Sequence, residues 1–208
     1  MPREHHKPVK FAPEVFSSFA GGPDPASLEE AAHTTARIVL ARGRANEDPE
    51  VTRRLIALAD TEGIEAIAEL WAQAGADSLP GALWRLYALR DAIRRQPERL
   101  ALLFREGSES AQYSTVIAGV AQPPGAAEVR AMADEILGGV YSGELDIALR
   151  RAAAFARTVA LGQAWEADRI DSLSARAGQS MTIGAARLVR TAEELEEAAR
   201  LSGRGELH

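Results

Sequence analysis

The chain has 208 residues, a formal net charge of −6 and no cysteine, which excludes disulfides, thiolate metal sites and a cysteine nucleophile. No run approaches the roughly 18 to 20 apolar residues that span a bilayer, and the polar start Met1–Lys7 lacks the apolar stretch of a secretory signal, so the expected location is the cytoplasm, off the membrane. Alanine fills about a fifth of the chain while aromatics reach only 5%; alanine loses no side-chain entropy in a helix and buries no polar atom, so composition points to an all-α fold with close helix–helix approach.

Residues 1–24 read as an extended arm. Pro2, Pro8, Pro13, Pro23 and Gly21-Gly22 break any helix, yet Val9, Phe11, Val15, Phe16 and Phe19 are apolar enough to dock on the bundle or on a partner. Ser27-Leu-Glu-Glu30 has the form of a capping box and predicts the start of a first helix, whose stripe is Leu28, Ala32, Thr35 and Val39. Asp48-Pro49-Glu50 predicts a second start, with aspartate as N-cap and proline in the first turn. Gly63 stops or bends that helix, and Ile64, Ile67, Ala68 and Trp71 continue on a new apolar face.

Ser78-Leu-Pro-Gly81 opens the next element, in which Leu79, Leu83, Leu86, Tyr87 and Ile93 share one arc. Pro97 marks a break and a restart, and the stripe Leu100, Leu103, Phe104 is expected to end at Gly107. Residues 108–121 are ambiguous by local propensity and are assigned to helix, because an isolated strand would have no partner. Gln122-Pro-Pro-Gly125 is the clearest punctuation and is taken as a seam between two helical halves, 25–121 and 126–202.

After the seam, Val129, Met132, Ala133 and Ile136 form a stripe expected to end at Gly138-Gly139. From Glu144 the pattern runs long. Ile147, Ala154, Thr158, Leu161 and Trp165 fall on one line, and Leu145, Leu149, Ala152, Ala156 and Val159 fall on the opposite side. Apolar residues on two faces predict a central helix buried on both sides, which Gly162 could kink. Thr191-Ala-Glu-Glu194 reads as a second capping box opening a short terminal helix, and 203–208 as a frayed tail. The expected architecture is a compact orthogonal bundle of about eight helices, with some apolar faces completed by a second copy in a symmetric dimer.

Site chemistry is sparse. His5-His6, His33 and His208 have no second ligand at helical spacing, so no metal site is expected. The acidic runs Glu29-Glu30, Glu193-Glu194 and Glu196-Glu197 sit where carboxylates favour a helix N-terminus. No phosphate-cradling glycine motif and no nucleophile elbow occurs. The expectation is therefore a non-enzymatic chain with no cofactor.

One segment departs from simple patterning. Arg85, Arg90, Arg94, Arg95, Arg99 and Arg105 face only Asp91 and Glu98 between residues 84 and 105. Arg90 falls inside the apolar arc, and Trp84 falls outside it. One reading lets Arg90 snorkel or pair with a carboxylate of a neighbouring helix, and packs Trp84 under the arm or a second helix layer. The other makes Trp84, Arg85, Arg90, Arg94 and Arg95 a partner-binding surface, since tryptophan and arginine are enriched at binding hot spots. The run Leu79-Pro-Gly-Ala-Leu-Trp-Arg-Leu-Tyr-Ala-Leu-Arg-Asp91, with Gln122-Pro-Pro-Gly-Ala-Ala-Glu-Val-Arg130, resembles an uncharacterised group of small helical actinobacterial proteins; the resemblance implies a helical fold and no activity. The leading functional expectation is a non-catalytic interaction or regulatory protein that binds a protein partner or itself. The alternatives are nucleic-acid binding through the Arg-rich helix 84–105, and a small-molecule binder or enzyme with a pocket between the two halves.

Overall fold

The computed structural model describes residues 24–45, 48–58, 60, 63–110, 125–171 and 173–208. Among them the chain is all-α, with eight helices: α1 (Pro25–Arg44), α2 (Pro49–Ile56), α3 (Ile64–Trp71), α4 (Leu79–Arg95), α5 (Pro97–Ser110), α6 (Ala126–Tyr141), α7 (Leu145–Asp171) and α8 (Ala175–Arg204). None is long and apolar enough to cross a membrane. Residues 1–23 of the expected arm 1–24, the seam residues 122–124 and the ambiguous 111–121 lie outside the described residues; Asp24 caps α1, and 108–110 belong to α5.

Several starts follow the chain's own chemistry. The Asp48 carboxylate accepts from the Glu50 amide at 2.9 Å, with Pro49 in the first turn. Ser78 Oγ accepts from the Gly81 amide at 3.2 Å and opens α4. Both supposed capping boxes are corrected. The first helix begins earlier, at Pro25, with Asp24 accepting from the Ala26 amide at 3.3 Å. Thr191 lies inside α8, where its hydroxyl donates to the Arg187 carbonyl at 3.1 Å, so the last helix is long rather than short. Nor does α6 stop at Gly138-Gly139: it runs on to Tyr141, because Val140 and Tyr141 are buried and hold the last turn.

The helices on either side of the seam share one core. Leu83, Tyr87 and Ile93 of α4 belong to the same buried cluster as Val129 and Leu137 of α6, Leu149 and Phe155 of α7, and Leu195 of α8. The expected halves are therefore not separate packing units. The tail is tied down as well. Gly205 adopts the left-handed conformation (φ 71°) that closes α8, the Leu79 amide donates to the His208 carbonyl at 2.8 Å, and Leu207 packs on the core.

The centre of the bundle is α7, of 27 residues, packed against α5, α6, α8 and α4. Its closest neighbour contact explains two glycines that read as breaks in the sequence. A Cβ on Gly107 would stand 1.9 Å from the Thr158 carbonyl oxygen, and a Cβ on Gly162 would stand 1.9 Å from that of Leu103. Gly107 therefore does not end α5, and Gly162 is no hinge: together they let two backbones touch. Stacking of Phe104 on Phe155, with centroids 5.2 Å apart, seals the crossing. Burial of α7 on both sides holds for only one of its two apolar lines. Leu145, Leu149, Ala152, Ala156 and Val159 are buried; on the other line Thr158 is buried and Ala154 half-buried, but Ile147, Leu161 and Trp165 are exposed.

Replacing Gly107 or Gly162 by alanine should force the two helices apart and cost about 1 to 3 kcal/mol or more, read as a lower urea midpoint. A Gly143→Ala control lacks any neighbour within 4 Å but has φ 98°, so its cost should be backbone strain alone and smaller. Equal stability of Gly162→Ala and the native chain would refute the close crossing.

Candidate functional site

Arg90 is the single buried cation of α4, 3% exposed. The helix puts it on the same face as Leu83, Leu86, Tyr87 and Ile93, all buried. A guanidinium enters such a face only with partners for its charge and its donors. Two neighbouring segments supply them. Asp60, between α2 and α3, takes Nη1 and Nη2 in a two-pronged pair at 3.0 and 2.9 Å, and Asp134 of α6 accepts from Nε at 2.6 Å. One turn on, Arg94 contacts the same two carboxylates, Asp60 at 3.2 Å and Asp134 at 3.8 Å. Two arginines and two aspartates thus alternate in a closed group whose carboxylate side opens to solvent. Burial works against the Arg90 charge, but the hydrogen bonds to Asp60 and Asp134 outweigh it and hold the guanidinium above its usual pKa.

Directly inside this group lie two phenols. Tyr87 Oη is 2.5 Å from the Leu55 carbonyl and 2.5 Å from Tyr141 Oη. A carbonyl can only accept, so the one Tyr87 proton goes to Leu55 and Tyr141 donates to Tyr87. Burial pushes the Tyr87 phenol up to about 12, against the opposing pull of the Tyr141 hydrogen bond and the Arg90 charge. Burial first, then the neighbouring Tyr87, raises Tyr141 well above its ordinary value. The ring of Tyr87 also meets that of Trp71, 6.1 Å between centroids, and Trp71 Nε1 donates to Thr35 Oγ1 at 3.0 Å. One polar chain therefore ties α1, α2, α3, α4 and α6 together through a core that is otherwise apolar.

The five residues singled out in the sequence do not converge on one open surface. Trp84 is half-buried against the core. Arg85 is only 17% exposed in its side chain and turns to α8, where Glu194 accepts from Nε at 2.7 Å. Arg90 and Arg94 are joined through the aspartates. Arg95 pairs with Asp91 on its own helix at 2.8 Å, and with Glu65 at 3.8 Å. Beyond these five, Arg99 forks onto Glu166 of α7. The residues that sequence reasoning missed are Asp60, Asp134 and Tyr141. The signal for Tyr141 was present, four residues beyond Leu137 on the buried stripe of α6.

Chemically, the group is cohesive rather than reactive. Its carboxylates are already paired with arginines, and its phenols keep their protons far above neutral pH. Among the described residues, no group of three or more histidines and carboxylates could hold a metal ion.

Asp60→Asn and Asp134→Asn should each lower stability, and the double substitution should cost more than the sum of the two by about 1 kcal/mol or more, because only then is Arg90 buried without a carboxylate. Additivity in a urea double-mutant cycle would show that Arg90 does not depend on the pair. The tyrosines set an alkaline limit. Their folded pKa values are raised, so the stability they contribute is complete below pH 10 and is lost as pH climbs from the unfolded value of 10.0 towards about 12. For Tyr87 the shift from 10.0 to about 12 corresponds to roughly 3 kcal/mol. Tyrosinate absorbance of Tyr87 and Tyr141 should therefore appear together with loss of helical circular dichroism, and Tyr87→Phe should flatten the decline above pH 10. Ionisation of both phenols near pH 10 with the helices intact would contradict their burial. In comparisons with known proteins, no family model, no curated protein and no solved structure matches this chain.

Proposed function

We propose that this is a non-catalytic interaction protein that acts as a homodimer, joined through the solvent-facing side of α7. The observation that carries the reading is the exposure of Ile147 (45%), Leu161 (43%) and Trp165 (56%) along one line of that helix. Large apolar side chains scattered singly on a surface need no explanation, but an aligned set does. Positions 147, 151, 154, 158, 161 and 165 alternate in steps of four and three, which is the seam spacing of paired helices. The middle of the line is small: Ala154 is half-buried and lets another backbone approach, while Thr158 is buried at the crossing with α5. Thr158 Oγ1 donates to the Ala154 carbonyl at 2.9 Å, so its hydroxyl is satisfied, and Arg151 is held aside by Glu135 at 3.1 Å.

The pattern is also self-complementary. Two antiparallel copies of α7 related by a two-fold axis near residue 156 bring Ile147 of each onto Trp165 of the other, with Ala154 near the centre. That is the isologous contact of a symmetric dimer. Phosphate binding by the Arg-rich helix has less in its favour, since Arg85, Arg90, Arg94, Arg95 and Arg99 already carry carboxylates.

Light scattering on a sizing column at micromolar concentration should give the mass of two chains. Trp165→Glu should give one chain with an unchanged melting temperature, and native Trp165 fluorescence should shift to the blue as concentration rises. A native monomer, or a dimer indifferent to Trp165→Glu, would overturn the proposal.

A further inference from the structure

We infer that a second surface, the groove between α1, the end of α3 and the C-terminal residues, binds a short cationic peptide segment with apolar side chains between its basic ones. The groove encloses about 680 Å³, room for a few residues of extended chain. Two leucines line it that the core leaves out, Leu28 (50% exposed) and Leu70 (46%). Leu28 begins the expected stripe of α1, yet the core takes Ala32 and Ala36 and leaves Leu28 facing the groove. Small apolar side chains, Ala32 and Ala74, complete the floor.

The rim is rich in carboxylates. Glu29, Glu69, Asp77 and Glu206 line the groove beside His33 and His208, and among the described residues no lysine or arginine does. Elsewhere on this protein, arginines answer carboxylates repeatedly, within helices and between them. These four form no ion pair among the described residues. They come from three parts of the chain: the first turns of α1, the end of α3 with the turn after it, and the residues beyond α8. A concave apolar floor under four unanswered carboxylates complements a ligand that carries both apolar groups and cations. A polyamine would leave the leucines unused, and a nucleic acid or acidic peptide would be repelled. The walls are fixed, since Ser78 Oγ donates to the Gly75 carbonyl at 2.7 Å and His208 is anchored on the Leu79 amide at 2.8 Å.

The test is fluorescence anisotropy with a labelled synthetic peptide of sequence Arg-Leu-Lys-Leu-Arg, read against full-length protein. Binding is expected at low salt and should weaken as salt screens the rim. The double variant Glu69→Gln/Asp77→Asn should weaken it about tenfold or more, as expected for losing charge-assisted hydrogen bonds. Leu28→Ser/Leu70→Ser should weaken it with the salt dependence unchanged. All four sites are exposed, so melting temperatures should hold, and the same losses should appear in the Trp165→Glu background, independently of dimerisation. Undiminished binding to either double variant overturns the inference. So does full displacement by spermine at matched charge with no effect of the leucine changes, which would make the site a polyamine site. Equal binding of a Glu-Leu-Glu-Leu-Glu control peptide overturns it too.

Discussion

A guanidinium in an apolar core dictates the positions of everything that must answer it. Arg90 offers five donors in a fixed plane and cannot give up its charge. Asp60 fills the outer edge of that plane and Asp134 fills the Nε side. The first carboxylate fixes the link between α2 and α3 over α4, and the second fixes the register of α6. That matters most for α2, which has no fully buried residue of its own. Its hold on the bundle is partial packing of Leu55 and Ile56, the Leu55 carbonyl on Tyr87, and the Asp60 pair just beyond it. An apolar residue at position 90 would pack as well, but it would accept many registers of its neighbours. The ion group accepts few, and its outward opening spares the aspartates full desolvation.

The other half of the bundle is built on proximity rather than charge. Ala-rich helices bury little area per residue, so they gain cohesion only by coming close. Gly107 and Gly162 carry this to the limit of backbone contact between α5 and α7. Along α7 and α8, Ala153, Ala156, Ala160, Ala185, Ala192 and Ala199 are buried in the same spirit. Arginine forks then lock the slide of one smooth helix over another: Arg157 onto Glu196 between α7 and α8, Arg99 onto Glu166 between α5 and α7. The abundance of arginine over lysine fits this use, since a planar fork holds a register that a single ammonium does not.

How much of this could be read beforehand varied with the range of the interaction. Local signals transferred well. Asp48-Pro49, Ser78 with Pro80, and Pro97 all mark true helix starts, and the apolar arc of α4 is the buried face. Of the two readings that Arg90 on that arc left open, the structure has the one that pairs it with carboxylates from neighbouring segments. What failed were signals with two local meanings. Ser27 and Thr191 each precede a glutamate by three residues, but a threonine inside a helix can satisfy its hydroxyl on the preceding turn, as Thr191 does. Glycine reads as a stop unless the facing helix is known, which is why Gly107 and Gly162 misled. Partners distant in the chain left no trace at all: Asp60 and Asp134 lie 30 and 44 residues from Arg90, and the tyrosines 54 residues apart. The two apolar lines of α7 were seen, but periodicity cannot say which line faces a neighbour.

The two surfaces proposed for binding differ from the rest of the molecule in the same way: each is left over once internal needs are met. Most arginines of α4, α5 and α7 are spent on carboxylates, so the basic stretch visible in the sequence offers little free charge. Among the described residues several carboxylates form no ion pair, and four of these line one groove. Similarly, α7 buries Leu149, Phe155 and Val159 along with its alanines, and Ile147, Leu161 and Trp165 remain outside. The groove is not isolated from the ion group. Its wall at Ser78 is the N-cap of α4, and the tail that closes it hangs on the Leu79 amide, the first residue of the helix that carries Tyr87 and Arg90. A segment seated in the groove presses on the end of that helix, while the aspartates and the Leu55 carbonyl hold its middle. The rigid element of the fold thus serves as the floor against which the open surface keeps its shape.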